Sequence, residues 1–271
     1  MHKCSLITLF GLIGLFDISR AATIDLSAGL VGEYLFNGNA NDSSGNGKNG
    51  VINNLTSTTD RFGVTGAAYN FSGNYSYITI PTLLPNIGAG GTLFTWFKAD
   101  PTQLFGQQNI ISQPRGNRPS DNQLVGFRLQ LFPNQVNAGY NDSIQNAAAF
   151  GPSSSALADG NWHSMAATLF TDSTSRTLSV YFDGIFAESV SLSPLSVTSD
   201  VPFYIGTQFD PSTTNNENPF IGAIDDVRVY NRALNAQEIQ ALSVPEPSVL
   251  SFILLSGTAL FASFKRSKNK I

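Results

Sequence analysis

The stretch Thr177–Val190, TLSVYFDGIFAESV, decides how the rest of the chain is read. Two alternating runs, TLSVYF and IFAESV, flank Asp183-Gly184. Asp and Gly both tolerate the positive φ of a type I′ turn, whose twist matches the strands on either side. The stretch therefore predicts an antiparallel hairpin. Comparable runs recur at 30–36, 75–80, 92–98, 125–132, 162–170, 201–205 and 223–230, each followed by a turn cluster. Short strands at this spacing predict packed antiparallel sheets and not a series of βαβ units. One helix is signalled near 235–242 (NAQEIQAL): Asn235 can cap it and Glu238 stands where a capping box requires. Ile239 and Leu242 would then face the sandwich. No linker divides residues 29–242, so a single all-β antiparallel sandwich is expected.

Composition narrows the function. Between Ala22 and Ser248 the chain has nine Lys and Arg against eighteen Asp and Glu. So acidic a body repels phosphate backbones and argues against nucleic-acid binding, while it tolerates divalent cations and neutral glycans.

The two ends read differently from the body. Met1-His2-Lys3, then the apolar run Cys4–Phe16, then small residues ending at Ala21, form the three-part pattern of a secretory signal peptide, with residues 1–21 removed. A thirteen-residue run is too short for a roughly 30 Å hydrocarbon core. Cleavage would remove Cys4, the one cysteine, and with it any thiolate chemistry or disulfide. At the other end, Val244-Pro245-Glu246-Pro247 precedes a sixteen-residue uncharged run, 249–264, and then Lys265, Arg266, Lys268 and Lys270. The basic cluster prefers the cytoplasmic side, which places the body outside as an exported, cell-surface domain, tethered through this segment.

Several stretches together resemble a known family. GLVGEYLFNGNANDSSGNGKNG (29–50), TLFTWFKAD (92–100), DGNWHSMAATLF (159–170), LSVYFDGIFAES (178–189) and NPFIGAIDDVRVYNRALNAQEI (218–239) resemble, in order, bacterial laminin-G-like domains of the concanavalin A-like lectin/glucanase superfamily. The resemblance implies a jelly-roll β-sandwich over residues 22–243. It also implies a binding module that takes polysaccharide and does not catalyse. The end, 244–271, resembles a PEP-CTERM sorting signal. That implies recognition by an exosortase and cleavage near Pro245-Glu246-Pro247. A structural or adhesive role toward other proteins is the alternative, and a glycoside hydrolase or lyase the third.

Four features could carry chemistry. Gly45–Gly50 fits G-x-G-x-x-G, but it follows a polar loop and leads into Val51-Ile52, not a helix, so a tight turn is expected and not a dinucleotide site. Asn37, Asn39, Asn41 and Asp42 offer hard oxygens, yet Lys48 stands where an EF-hand counted from Asn37 needs its Glu. The resemblance brings this loop near the closing strand, so Asp42, Asn46 and Asp225 are the expected calcium ligands. On a regular strand Asp225 and Asp226 point to opposite faces, leaving Asp226 solvated or paired with Arg228 or Arg232. His163, the one histidine beyond the signal, is the necessary member of any Ser-His-Asp triad, but its place beside Trp162 on a strand reads as structural. None of Glu33, Glu188, Glu217, Glu238 and Glu246 starts the Glu-x-Asp-x-x-Glu of laminarinase-like enzymes, so a glycosidase's acid pair would have to come from distant positions. Trp96 and Trp162 are expected in the core. Phe105, Tyr140, Phe150 and Phe209 are expected to be exposed in loops, of which 106–123, 140–160 and 209–219 are long and polar. Arg115, Arg118, Asn122, Asn216 and Glu217 join them as possible ligand contacts.

Overall fold

A computed structural model describes residues 24–244, apart from 74, 85–88, 104–105, 114–125, 134, 142–145, 153–156, 194–201 and 211–214. The expected signal peptide with Ala21, the expected sorting signal with Pro245, Glu246, Pro247 and the run 249–264, and Phe105, Arg115, Arg118 and Asn122 lie outside the described residues.

The expected sandwich is present. Its strands are β1 (Leu30–Tyr34), β2 (Val51–Asn53), β3 (Thr56–Thr59), β4 (Thr65–Ser72), β5 (Tyr77–Ile80), β6 (Gly91–Ala99), β7 (Gln108–Ser112), β8 (Gly126–Phe132) and β9 (Gln135–Asn141). They continue with β10 (Asn146–Phe150), β11 (His163–Thr171), β12 (Arg176–Phe182), β13 (Ile185–Leu192), β14 (Phe203–Ile205), β15 (Gln208–Asp210), β16 (Asn215–Glu217) and β17 (Ile221–Tyr230). One helix, α1 (Ala236–Leu242), closes the domain. All pairings between these strands are antiparallel.

An eight-stranded sheet runs β13-β12-β11-β6-β17-β4-β3, with β1 also on β17; a seven-stranded sheet runs β10-β9-β8-β7-β14-β5-β2. The hairpin that opened the reading is β12–β13, and Asp183 and Gly184 take φ of 47° and 77°, as its I′ turn demands. Leu93, Phe97, Leu178, Val180 and Ile224 from the first sheet meet Phe127, Leu129, Ala138, Tyr140 and Phe203 from the second in one buried cluster. Burying such surface supplies most of the folding drive, about 25 cal/mol for each Å² of apolar area.

A second, smaller cluster lies on the other side of the eight-stranded sheet. There Ile239 and Leu242 of α1 cover Phe94, Trp96, Ala166 and Tyr181, with Trp162 packed alongside. The capping box is formed: Asn235 Oδ1 accepts from the Gln237 and Glu238 amides at 2.9 and 3.0 Å, and the Asn235 amide donates to Glu238 at 2.8 Å. Arg232 grips the same carboxylate through both terminal nitrogens, at 2.9 and 2.7 Å. Trp96 Nε1 donates to the Leu242 carbonyl, fixing the end of α1.

Each of the three expected loops contains strand residues. β7 lies inside 106–123, β9 and β10 enter 140–160, and β15 and β16 occupy much of 209–219. Tyr140 is accordingly buried in β9 and is not an exposed loop aromatic, whereas Phe150 is 40% exposed on β10. Asn216 and Glu217 fall on β16.

Candidate functional site

The register of the seven-stranded sheet puts one continuous row on its outward face: Ala148, Gly139, Arg128, Ser112, Tyr204, Thr79 and Val51. Their neighbours Phe127, Leu129, Ala138, Phe203, Ile205, Ile78 and Ile80 point into the core, so alternation turns this row away from it. The next row is Asn109, Gln130, Asn137 and Phe150.

Arg128 sits at the middle of this face. A Cβ placed on its cross-strand neighbour Gly139 would come within 2.6 Å of Arg128 Nε, so the glycine is what lets the guanidinium stem lie flat on the sheet. Arg128 Nε donates to Gln130 Oε1 at 2.9 Å. Gln130 Nε2 donates to Asn109 Oδ1 at 2.6 Å, and Asn109 Nδ2 to the Asn218 carbonyl at 3.2 Å. Gln130 and Asn109 are buried, so this relay is rigid and orients the half-buried arginine. To one side, Tyr204 and Tyr77 stand with ring centroids 5.9 Å apart, both half-buried. At the far edge is Phe150. The face thus combines a fixed guanidinium, buried amides and aromatic rings at both flanks. Sequence reasoning missed Arg128, Tyr77, Tyr204, Gln130 and Asn109. Only the alternation within GFRLQLF and YITI could have pointed to the outward positions.

Each residue expected to bind calcium has hydrogen-bond partners within the protein. Asp42 Oδ1 accepts from the amides of Glu33 and Ser44, at 3.1 and 2.9 Å, and Oδ2 from that of Lys48 at 3.0 Å. Burial pushes this carboxyl up, but the bonds from Ser44, Lys48 and Glu33 outweigh it and hold the pKa below its ordinary value. Asn46 Nδ2 donates to Ser44 Oγ and to the Leu30 carbonyl. Asp225 already has a cation: Arg61 Nη1 bonds its Oδ2 at 2.6 Å. Among the described residues no group of three His, Cys, Asp or Glu is placed to hold a metal ion. Asp42 and Asn46 thus bond within the opening loop and to β1, and Asp225 bonds an arginine. The Gly45–Gly50 segment is a turn leading into β2, in line with its sequence context.

Asp225 and Asp226 depart from strand alternation. β17 pairs with β4 through Ile221–Ile224 and with β1 through Val227–Tyr230. Its register against β6 breaks between Asp225 and Arg228, and Asp226 adopts φ 45°. This bulge turns both carboxylates to one guanidinium, with Asp226 Oδ2 on Arg61 Nη2. Asp226 is therefore neither solvated nor paired with Arg228 or Arg232, which bind Glu33 and Glu238. Arg61 also lies over the rings of Phe62 and Trp96, at 4.2 and 5.1 Å. Burial, then the adjacent Asp226 charge, raises the pKa of Asp225 to about 7 against the opposing pull of Arg61.

His163 caps one end of the core, its ring against Phe97 and Phe182. Its Nδ1 lies 2.9 Å from Asp183 and its Nε2 3.2 Å from Asp159. Both ring nitrogens face carboxylates, so neither is directed at a nucleophile, and the neighbouring Ser164 hydroxyl is buried without a hydrogen bond. The bond to Asp183 raises the pKa of His163 against burial, and Asp159 adds to the rise.

On the eight-stranded sheet an open cleft of about 750 Å³ is lined by Asn70, Ser72, Lys98, Asp100, Gln103 and Ala223 among others. Among the described residues no helix is long and apolar enough to cross a membrane.

Solved structures share this fold. The binding domain of Paraclostridial Mosquitocidal Protein 1 is 16% identical with a TM-score of 0.62, over 81% of this chain and 52% of that one. Domain 4 of AbnA, a GH43 extracellular arabinanase from Geobacillus stearothermophilus, solved with arabinotriose, is 20% identical with a TM-score of 0.58, over 80% of this chain and 99% of that one. The botulinum neurotoxin serotype D ligand-binding domain, solved with N-acetylneuraminic acid, is 14% identical with a TM-score of 0.62, over 80% of this chain and 51% of that one. The chain spans about half the length of the toxin binding domains it matches. No curated protein matches its sequence. A family model described as the concanavalin A-like lectin/glucanases superfamily matches residues 72–240, more than half of the chain. With the jelly-roll sandwich in place around those residues, the chain belongs to that superfamily.

Proposed function

We propose that this protein is an exported, non-catalytic module that binds polysaccharide on the outward face of the seven-stranded sheet. The observation that carries the reading is the Arg128–Gln130–Asn109 relay set between Tyr77–Tyr204 and Phe150. Sugar rings offer apolar faces that stack on aromatics and hydroxyls that bond planar guanidinium and amide groups. The two outward rows, as named, contain no Asp, Glu, His or Cys. They offer half-buried Arg128 and Tyr204, backed by buried amides, without the paired carboxyls that glycoside hydrolysis requires. Two structural neighbours, solved in complex with arabinotriose and with N-acetylneuraminic acid, support a saccharide as the ligand class.

The chain's ends extend the proposal. A signal peptide at 1–21 exports the domain. The PEP-CTERM tail holds it at the membrane through 249–264 until an exosortase cuts near Pro245-Glu246-Pro247. The protein then works at the cell surface or in the extracellular matrix. A glycan array that includes arabinan and sialylated oligosaccharides, repeated with Tyr204→Ala, tests the binding reading. Saccharide binding lost in the variant supports it. Binding that persists in the variant moves the site elsewhere, to the cleft by Lys98 in the first instance. No saccharide signal, with capture of a surface protein instead, favours the adhesive alternative.

A further inference from the structure

The described chain leaves the fold at Val244, one residue after Ser243 caps α1. The β12–β13 turn rests against that point: a Cβ on Gly184 would lie 3.0 Å from Ser243 Cβ and 3.2 Å from Gln240 Cα. Ile185 and Phe186 follow the turn, and they are 72% and 51% exposed, with Val244 at 55%. Phe186 sets its ring edge-on to Tyr181, which belongs to the cluster beneath α1. Leu26 and Leu30, near the other end of the described chain, pack against the same cluster, and Ile24 is 45% exposed. Three large apolar side chains therefore surround the exit point without a core to enter. Scattered exposed apolar residues are ordinary, but a group at a tether point has a defined neighbour.

Chain length makes that neighbour close. From Val244 to the first residue of the uncharged run, Val249, is five residues, at most roughly 17 Å of extended backbone. We infer that Ile185, Phe186 and Val244 form a contact surface for the lipid bilayer that holds the tail. The inference rests on the membrane-tethered reading of residues 249–264. Its consequence is orientation. The hairpin belongs to the eight-stranded sheet and α1 packs on it, so that part of the molecule meets the membrane, while the row through Arg128 and Tyr204 is carried by the other sheet.

The test uses residues 22–271, the chain after signal removal, which contains no cysteine, so that one introduced cysteine carries the only label. A fluorophore is placed by Ile185→Cys, or by Val51→Cys on the outward face of the other sheet, and the protein is reconstituted in phosphatidylcholine vesicles containing nitroxide-labelled lipid. Loss of fluorescence at 185 and none at 51 is the expected result. Co-flotation with the vesicles but equal signals at both positions overturns the contact surface and leaves the tether standing. A chain that fails to float with vesicles overturns the tether and the orientation together.

Discussion

Arg61 and Asp225 are 164 residues apart in sequence and bonded at 2.6 Å, with side chains 9% and 3% exposed. This pair pins the β3–β4 turn over Trp96 at the bulge where β17 passes from β4 to β1. Removing one partner leaves a buried uncompensated charge, which costs about 3–5 kcal/mol. Arg61→Ala is expected to lower the unfolding free energy by that order in urea titration followed by circular dichroism. Adding Asp225→Asn and Asp226→Asn to Arg61→Ala should recover part of the loss, because the stranded carboxylates are then neutral. A triple variant no more stable than Arg61→Ala would show that the arginine acts only by covering Trp96.

Stability should fall as pH rises, in two windows. Asp225 has a folded pKa of about 7, above its unfolded value of about 3.9, so between these the folded state keeps a proton that the unfolded state releases. Its contribution is present in acid and lost as pH approaches 7. His163 also has a raised folded pKa, so its contribution is whole below about 6.5 and is lost as pH rises through the folded value. Thermal melts from pH 4 to 9 are expected to show a declining melting temperature from these two groups. Asp225→Asn should flatten the lower window and His163→Gln the upper one. Unchanged profiles in both variants would assign the pH dependence to other groups.

Much of the fold was legible because its hairpin, helix cap and apolar alternation are local signals. Asp183-Gly184 and the Asn235/Glu238 box each act within a few residues, and both formed as read. β7, β9 and β10 were missed because their outward positions hold Asn109, Asn137 and Ala148. Strands whose outer side chains are amides or small read as loops. The partners of Asp42 and Asp225 were not legible, because the loop amides and Arg61 that engage them are brought there by the fold. The Asp225–Asp226 bulge was equally invisible, since it arises from β17 meeting β4 and β1 on one edge.

Calcium itself is a measurable question. Asp42 holds three backbone amides, and hydrogen bonds to charged groups contribute about 1.5–3 kcal/mol each. Asp42→Ala is expected to lower the melting temperature by the same amount with calcium and with chelator. In the parent protein, swapping calcium for chelator should leave the melting temperature unchanged. A calcium-dependent rise that disappears in both Asp42→Ala and Asp225→Ala would establish the metal site expected from the sequence.

The binding face makes the sharpest mutational prediction at Gly139. Arg128 lies so close that any side chain at 139 must displace it, although Gly139 itself sits in ordinary strand pairing with Arg128 and Ala148. Gly139→Ala should therefore leave the sandwich folded while breaking the Arg128–Gln130 alignment. Saccharide affinity, measured by calorimetry on whichever glycan the array identifies, is expected to fall about tenfold or more, equivalent to roughly 1.4 kcal/mol. Tyr204→Ala should reduce affinity by a similar order through lost stacking. Lys98→Ala, in the cleft of the other sheet, should change it little. If Lys98→Ala weakens binding while Gly139→Ala does not, the saccharide sits in that cleft, and the relay through Gln130 and Asn109 serves only to stabilise the sheet.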